Sequence, residues 1–173
     1  QTATKSLITF TADDVPYDLA QKAHRGTSFV PERRAESTRR EYVQHIQSVI
    51  DTFSPLADTP EKMDVLRTGL ERYKEGYLKH LLAYLSARTK LVSSMIAGPS
   101  KFPVARMQKV SKTVDNRLAE LVAFSRKAQH ALRNQLDPRP PRGISADRPD
   151  AVIQLENKLA RAEQLQTLMV EAN

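Results

Sequence analysis

The chain has 173 residues, a net charge of +7, five glycines, no Trp and no Cys. That length supports a core without disulfide or metal staples, and the lack of Cys excludes thiolate metal sites, disulfides and Cys nucleophiles together. Few glycines and long stretches rich in Ala, Leu, Glu, Lys, Arg and Gln predict an all-α fold.

Residues 6–17 begin with β-branched and aromatic side chains and meet a turn signal at Asp13-Asp14 and Pro16. They read as a short extended arm or edge strand, within an amino-terminal arm and loop over 1–30. Pro31-Glu32 suits a first helical turn, because Pro lacks only an N–H that is unpaired there anyway. Ala35, Tyr42, Ile46, Val49, Ile50 and Phe53 then predict a helix over about 31–53. Thr59-Pro60-Glu61 supplies an N-cap, a first helical position and an acid in the positive first turn. Met63, Leu66, Leu70, Tyr73, Tyr77, Leu81, Tyr84, Leu91 and Met95 extend that stripe to Ala97, closed by Gly98-Pro99. One rod of roughly 55 Å results, with Gly69 or Gly76 as the place for a bend.

A third helix is predicted from about Pro103 to Leu136 through Met107, Val110, Val114, Leu118, Leu121, Ala128 and Leu132. Ser100-Lys101-Phe102 joins the two into a long antiparallel hairpin, and the helical core domain spans 31–136. The Pro-rich run from Asp137 to Gly143 cannot continue a helix and reads as a stiff linker over 137–147. A last helix over 148–173 carries Leu155, Leu159, Ala162, Leu165 and Met169, a stripe that docks on the hairpin or on a second copy. The longest nearly uncharged run, Leu91 to Ser100, is too short to cross a bilayer, and no apolar signal-type segment opens the chain; no membrane partner is expected.

Charge is distributed unevenly. From Gly76 to Val114 there is no Asp or Glu, yet this stretch holds Lys79, Arg88, Lys90, Lys101, Arg106, Lys109 and Lys112. Removing those seven leaves 20 basic against 20 acidic side chains. A confined excess makes a local positive field that draws a polyanion, whereas solvated helix faces ordinarily mix both signs. Arg106, Lys109 and Lys112 lie about one helical turn apart, and Lys101 opens their helix. Tyr73, Tyr77 and Tyr84 fall on the apolar stripe and read as core. Phe102 sits in the connection, where it either plugs the hairpin end or offers a face to a base.

A second basic cluster, Lys22, His24, Arg25, Arg33, Arg34, Arg39 and Arg40, is interleaved with Glu32, Glu36 and Glu41. Its arginines, Arg25, Arg33, Arg34, Arg39 and Arg40, extend the phosphate track if the first helix packs beside the hairpin turn. Gly26 with Thr27-Ser28 is a turn able to hold a phosphate or simply to cap the first helix. The histidines His24, His45, His80 and His130 show no metal-ligand spacing, and neither a phosphate-loop glycine pattern nor a Gly-x-Ser-x-Gly elbow occurs. The expectation is a non-enzymatic protein with no catalytic residues, no metal and no cofactor.

Two blocks, Ala23-His24-Arg25-Gly26-Thr27-Ser28-Phe29 followed by Pro31-Glu32-Arg33-Arg34, and Gly98-Pro99-Ser100-Lys101-Phe102-Pro103-Val104-Ala105-Arg106, carry a resemblance. Together they resemble a family of small proteins of tailed bacteriophages and related mobile elements, over roughly residues 20–125. The chain also looks like the early single-stranded-DNA-binding transcription regulators of podovirus-type phages that carry a virion RNA polymerase. The resemblance implies a non-enzymatic protein in the cytoplasm of the infected host. It would coat single strands without sequence preference, self-associate on DNA and act in early transcription or replication, with a phage RNA polymerase as a further partner. RNA stands beside DNA as a ligand. The rival expectation is an adaptor or assembly factor whose basic face meets an acidic protein patch.

Overall fold

Helix starts follow the local chemistry. The computed structural model describes residues 7–98, 100, 102–137, 152, 153, 155–157 and 159. Helix α1 (Tyr17–Arg25) carries Asp18 in its first turn and Lys22, His24 and Arg25 in its last, the signs that the helix dipole favours. Helix α2 (Pro31–Phe53) begins on its proline. Helix α3 (Pro60–Arg88) is capped by Thr59, whose hydroxyl accepts from Lys62 N at 3.3 Å. A short α4 (Ser94–Ala97) and the long α5 (Val104–Leu136) follow. No strand occurs among the described residues, so the fold is all-α.

The extended arm is therefore a correction: the described part of 6–17 forms bends and a 3₁₀ turn at Ala12–Asp14, and α1 occupies what the sequence suggested was loop. Side chains of α2 hold it so. Arg39 Nε donates to the carbonyls of Ala12 at 2.9 Å and Val15 at 3.1 Å, its Nη2 pairs with Asp13, and Tyr42 Oη donates to Asp14 at 2.9 Å. These contacts are long-range and left no local signal.

A second correction concerns α3, which stops at Arg88 instead of running to Ala97. Thr89 Oγ1 donates to the Ser86 carbonyl at 2.7 Å, offering the backbone a local alternative to helix. Farther on, Ser93 N donates to the Gly26 carbonyl at 2.8 Å, which pulls the chain onto the turn between α1 and α2. A side chain at Gly26 would place its Cβ 2.2 Å from the Leu91 carbonyl oxygen, so that close approach requires glycine. Ser93 then starts α4, its hydroxyl accepting from Met95 N at 3.2 Å. The link from α3 to α5 is thus much longer than Ser100-Lys101-Phe102.

Helices α3 and α5 run antiparallel: Gly69 faces Leu132 and Gly76 faces Phe124, so positions rise on one helix as they fall on the other. At Gly76 a Cβ would meet the tip of the Phe124 ring at 2.1 Å. The two glycines therefore serve close packing, and α3 is continuous through both. Gly76→Ala gains about 1 kcal/mol of helix propensity but overpacks the contact by about 1–3 kcal/mol. A lower urea midpoint is expected; a higher one would show that the ring turns aside freely.

The core gathers Ala20 and Ala23 of α1, Tyr42, Ile46, Val49 and Phe53 of α2, Leu66, Leu70, Tyr73, Leu81 and Leu85 of α3, and Leu121, Leu132 and Leu136 of α5. Tyr77 and Tyr84 pack against it, as their stripe positions implied. Tyr73 is its polar hub. His45 Nε2 lies 2.8 Å and Ser125 Oγ 2.6 Å from Tyr73 Oη, and Gln129 Nε2 donates to both Tyr73 Oη and Ser125 Oγ. His45 and Tyr77 stack at 4.3 Å between centroids. Three helices are joined by groups that satisfy one another.

The chain divides into two compact units, Gln1–Asp137 and Pro138–Asn173. In the second, residues 152, 153, 155–157 and 159 are helical and exposed. Positions 138–147 of the predicted linker and the stripe positions Ala162, Leu165 and Met169 lie outside the described residues.

Candidate nucleic-acid interface

The acid-free stretch is built mostly from the last turns of α3 and the first turns of α5. Because the two helices are antiparallel, Lys90, just beyond α3, comes beside Arg106 and Lys109 near the start of α5. With Ala83, Ser86, Ala87, Val110, Thr113 and Arg117 they line an open cleft of about 580 Å³. Small side chains on the α3 wall leave the floor accessible, while the cations stand mainly along the α5 wall. Among the described residues Lys90, Arg106 and Lys109 have no carboxylate partner, whereas Arg117 pairs with Glu120 at 2.7 Å.

Arg117 is the cleft residue the charge pattern did not single out, because Asp115 and Glu120 flank it and place it outside the acid-free run. Its spacing from Arg106, Val110 and Thr113 puts it on their face, a signal that was present. Of the other predicted contacts, Lys79 is exposed on α3 one turn before Ala83, and Lys112 is exposed on α5 but does not line the cleft. Lys101 lies outside the described residues. Phe102 is half-buried.

Arg88 does not join this cleft. It is half-buried, with Nη1 donating to Tyr84 Oη at 2.7 Å and Nη2 to Thr27 Oγ1 at 3.4 Å. There it lines a separate polar cleft with Arg34, His24, Thr27 and Ser28. Arg25, Arg33 and Arg40 are exposed on α1 and α2. Arg39 is engaged by the 3₁₀ turn and lies 5.9 Å from the Tyr17 ring centroid, so its guanidinium serves the fold.

His24 is buried on α1, and its Nε2 lies 2.9 Å from Thr38 Oγ1. Thr38 donates to the Arg34 carbonyl, which leaves its oxygen to accept from a His24 Nε2–H. Burial first, then the guanidiniums of Arg88 and Arg34, hold His24 below its ordinary value against an opposing pull from Glu41. Burial alone lowers His45. Both histidines take up protons more readily in the unfolded chain, so stability falls as pH drops through their ordinary value of 6.5. Urea midpoints should be lower at pH 5.5 than at pH 7.5; equal midpoints would show that neither ring is shielded.

Among the described residues there is no group of three or more His, Cys, Asp or Glu able to hold a metal, and no helix long and apolar enough to cross a membrane. No protein-family model, curated protein or solved structure matches the chain.

Proposed function

We propose that this chain binds single-stranded nucleic acid without sequence preference, through the cleft between α3 and α5. The observation that carries this reading is the convergence of Lys90, Arg106, Lys109 and Arg117 on one open cleft. A phosphate chain laid along the cleft would meet cations, with apolar floor available to sugars and bases. Duplex DNA shows its bases only at groove edges, so contact between bases and the apolar floor is open only to unpaired strands. The phage setting, with action in early transcription or replication and in the host cytoplasm, is proposed on the resemblance of the two sequence blocks.

Binding should weaken with salt. Four cleft cations, one of them shared with Glu120, give a slope of log affinity against log salt of about −2 to −3 for single strands. The measurement is a titration of a labelled mixed-sequence oligonucleotide at several salt concentrations, beside a duplex of equal length. Equal or tighter duplex binding would overturn the proposal.

A second reading has one observation in its favour. Met95, 79% exposed, and Val104, 57% exposed, flank the linking segment and the start of α5, as an adaptor for a protein such as an RNA polymerase would require. An adaptor would not hold a mixed-sequence strand at physiological salt, which separates the two.

A further inference from the structure

The turn after α1 and the first turns of α2 meet the end of α3 around a second cleft of about 330 Å³. Its lining is almost wholly polar. Arg88 lines it with Nη1 and Nη2 held by Tyr84 and Thr27, while its Nε is buried and has no acceptor. A buried guanidinium N–H without a partner is costly, so a small movement of the side chain that brought it to an acceptor in the cleft would be favoured. The Thr27 contacts are long: its hydroxyl donates to the His24 carbonyl at 3.5 Å and accepts from Arg88 at 3.4 Å. Such bonds are readily exchanged for shorter ones to a charged oxygen. Arg34 brings a second guanidinium, and Ser28 a second hydroxyl, already accepting from Val30 N at 3.2 Å.

The charge count narrows the ligand. Two guanidiniums face one carboxylate, Glu41, which accepts from Ser37 Oγ at 2.9 Å, and burial favours the uncharged form of His24. A net single positive charge matches a monoanion better than a dianion. One residue past Ser28, Phe29 is 75% exposed, and its ring face is available to a base.

We propose that this second cleft seats one phosphodiester group of a single strand, with Arg88 and Arg34 as the cationic contacts, Thr27 and Ser28 as hydroxyl contacts, and Phe29 as the stacking face for the attached base. It rests on the single-strand reading for the source of the phosphate, and on its own residues for the seat. Arg88 thus serves the strand from a place apart from the cleft of Lys90, and Phe29 takes a stacking part for which Phe102 was the candidate in the sequence.

The test follows the Arg88 Nε–H resonance and the Thr27 and Ser28 amides in the ¹⁵N-labelled full chain. The probes are thymidylyl-thymidine, dimethyl phosphate and inorganic phosphate. Saturable shifts are expected with the dinucleotide and with dimethyl phosphate, and loss of both in Arg34→Gln, whose side chain is on the surface. Thymidylyl-thymidine should bind about tenfold tighter than dimethyl phosphate, an advantage that Phe29→Ala removes. Equal affinities, or tightest binding by inorganic phosphate, would overturn the strand as source in favour of a free oxyanion. No saturable shift with any probe would overturn the seat. Repeating the titration in the Arg106→Glu, Lys109→Glu double variant separates the two sites. Persistence of the shift there, with long-strand binding lost, supports an independent seat; its disappearance would overturn independence.

Discussion

Reversing the charge at Arg106 and Lys109 together should lower affinity for a mixed-sequence single strand by about 100-fold or more at low salt, because two attractive contacts become repulsive. The fold should not suffer. Both side chains are exposed on α5 and have no carboxylate partner among the described residues. Arg106 also lies in the first turn of α5, where no acid is present, and a Glu there suits the positive end of the helix dipole. Circular dichroism and the urea midpoint should therefore match those of the parent chain. Unchanged affinity in a folded double variant would remove the α3–α5 cleft and turn attention to Arg25, Arg33 and Arg40.

The largest expected loss of stability is at Tyr73. Tyr73→Ala removes a ring that is 3% exposed and opens a cavity between α2, α3 and α5, at a cost of about 3–5 kcal/mol. It also strips His45, Ser125 and Gln129 of the hydroxyl they share. Tyr73→Phe keeps the ring and isolates the second effect, about 1–3 kcal/mol for buried groups left unpaired. Equilibrium urea unfolding gives both values. A loss in Tyr73→Phe near zero would mean that Ser125, Gln129 and His45 re-pair among themselves.

How much was legible in the sequence depends on where each signal is held. Starts at Pro31 and Pro60 and the end at Leu136 are written in caps, prolines and apolar spacing, so they were readable. The stop at Arg88 was not, since it depends on Ser93 reaching Gly26, a contact that no window of neighbouring residues contains. The same division runs through the arginines. Arg106 and its cleft neighbour Lys109 were legible because charge segregation is a property of the linear chain. Arg88 lies in the same acid-free run and Arg39 in the interleaved amino-terminal cluster, yet a tyrosine and a threonine hold Arg88 and a carbonyl pair claims Arg39. The cleft around Arg88 was glimpsed only as the turn at Gly26-Thr27-Ser28. Its other wall comes from a helix far along the chain.

That distance has a kinetic consequence. Thr27 and Arg88 are 61 positions apart, whereas the α3–α5 pair can close first at its Lys90–Arg106 end and zip onward, and α1 packs on α2, its neighbour in the chain. The seam between the Gly26 turn and the 88–93 segment should be among the last contacts made during folding and the first to part in the native state. Its parting would leave the α3–α5 pair intact while unmasking Arg88 and Leu91. A chain that breathes along this line can admit a ligand to the polar cleft without melting the helices that carry it.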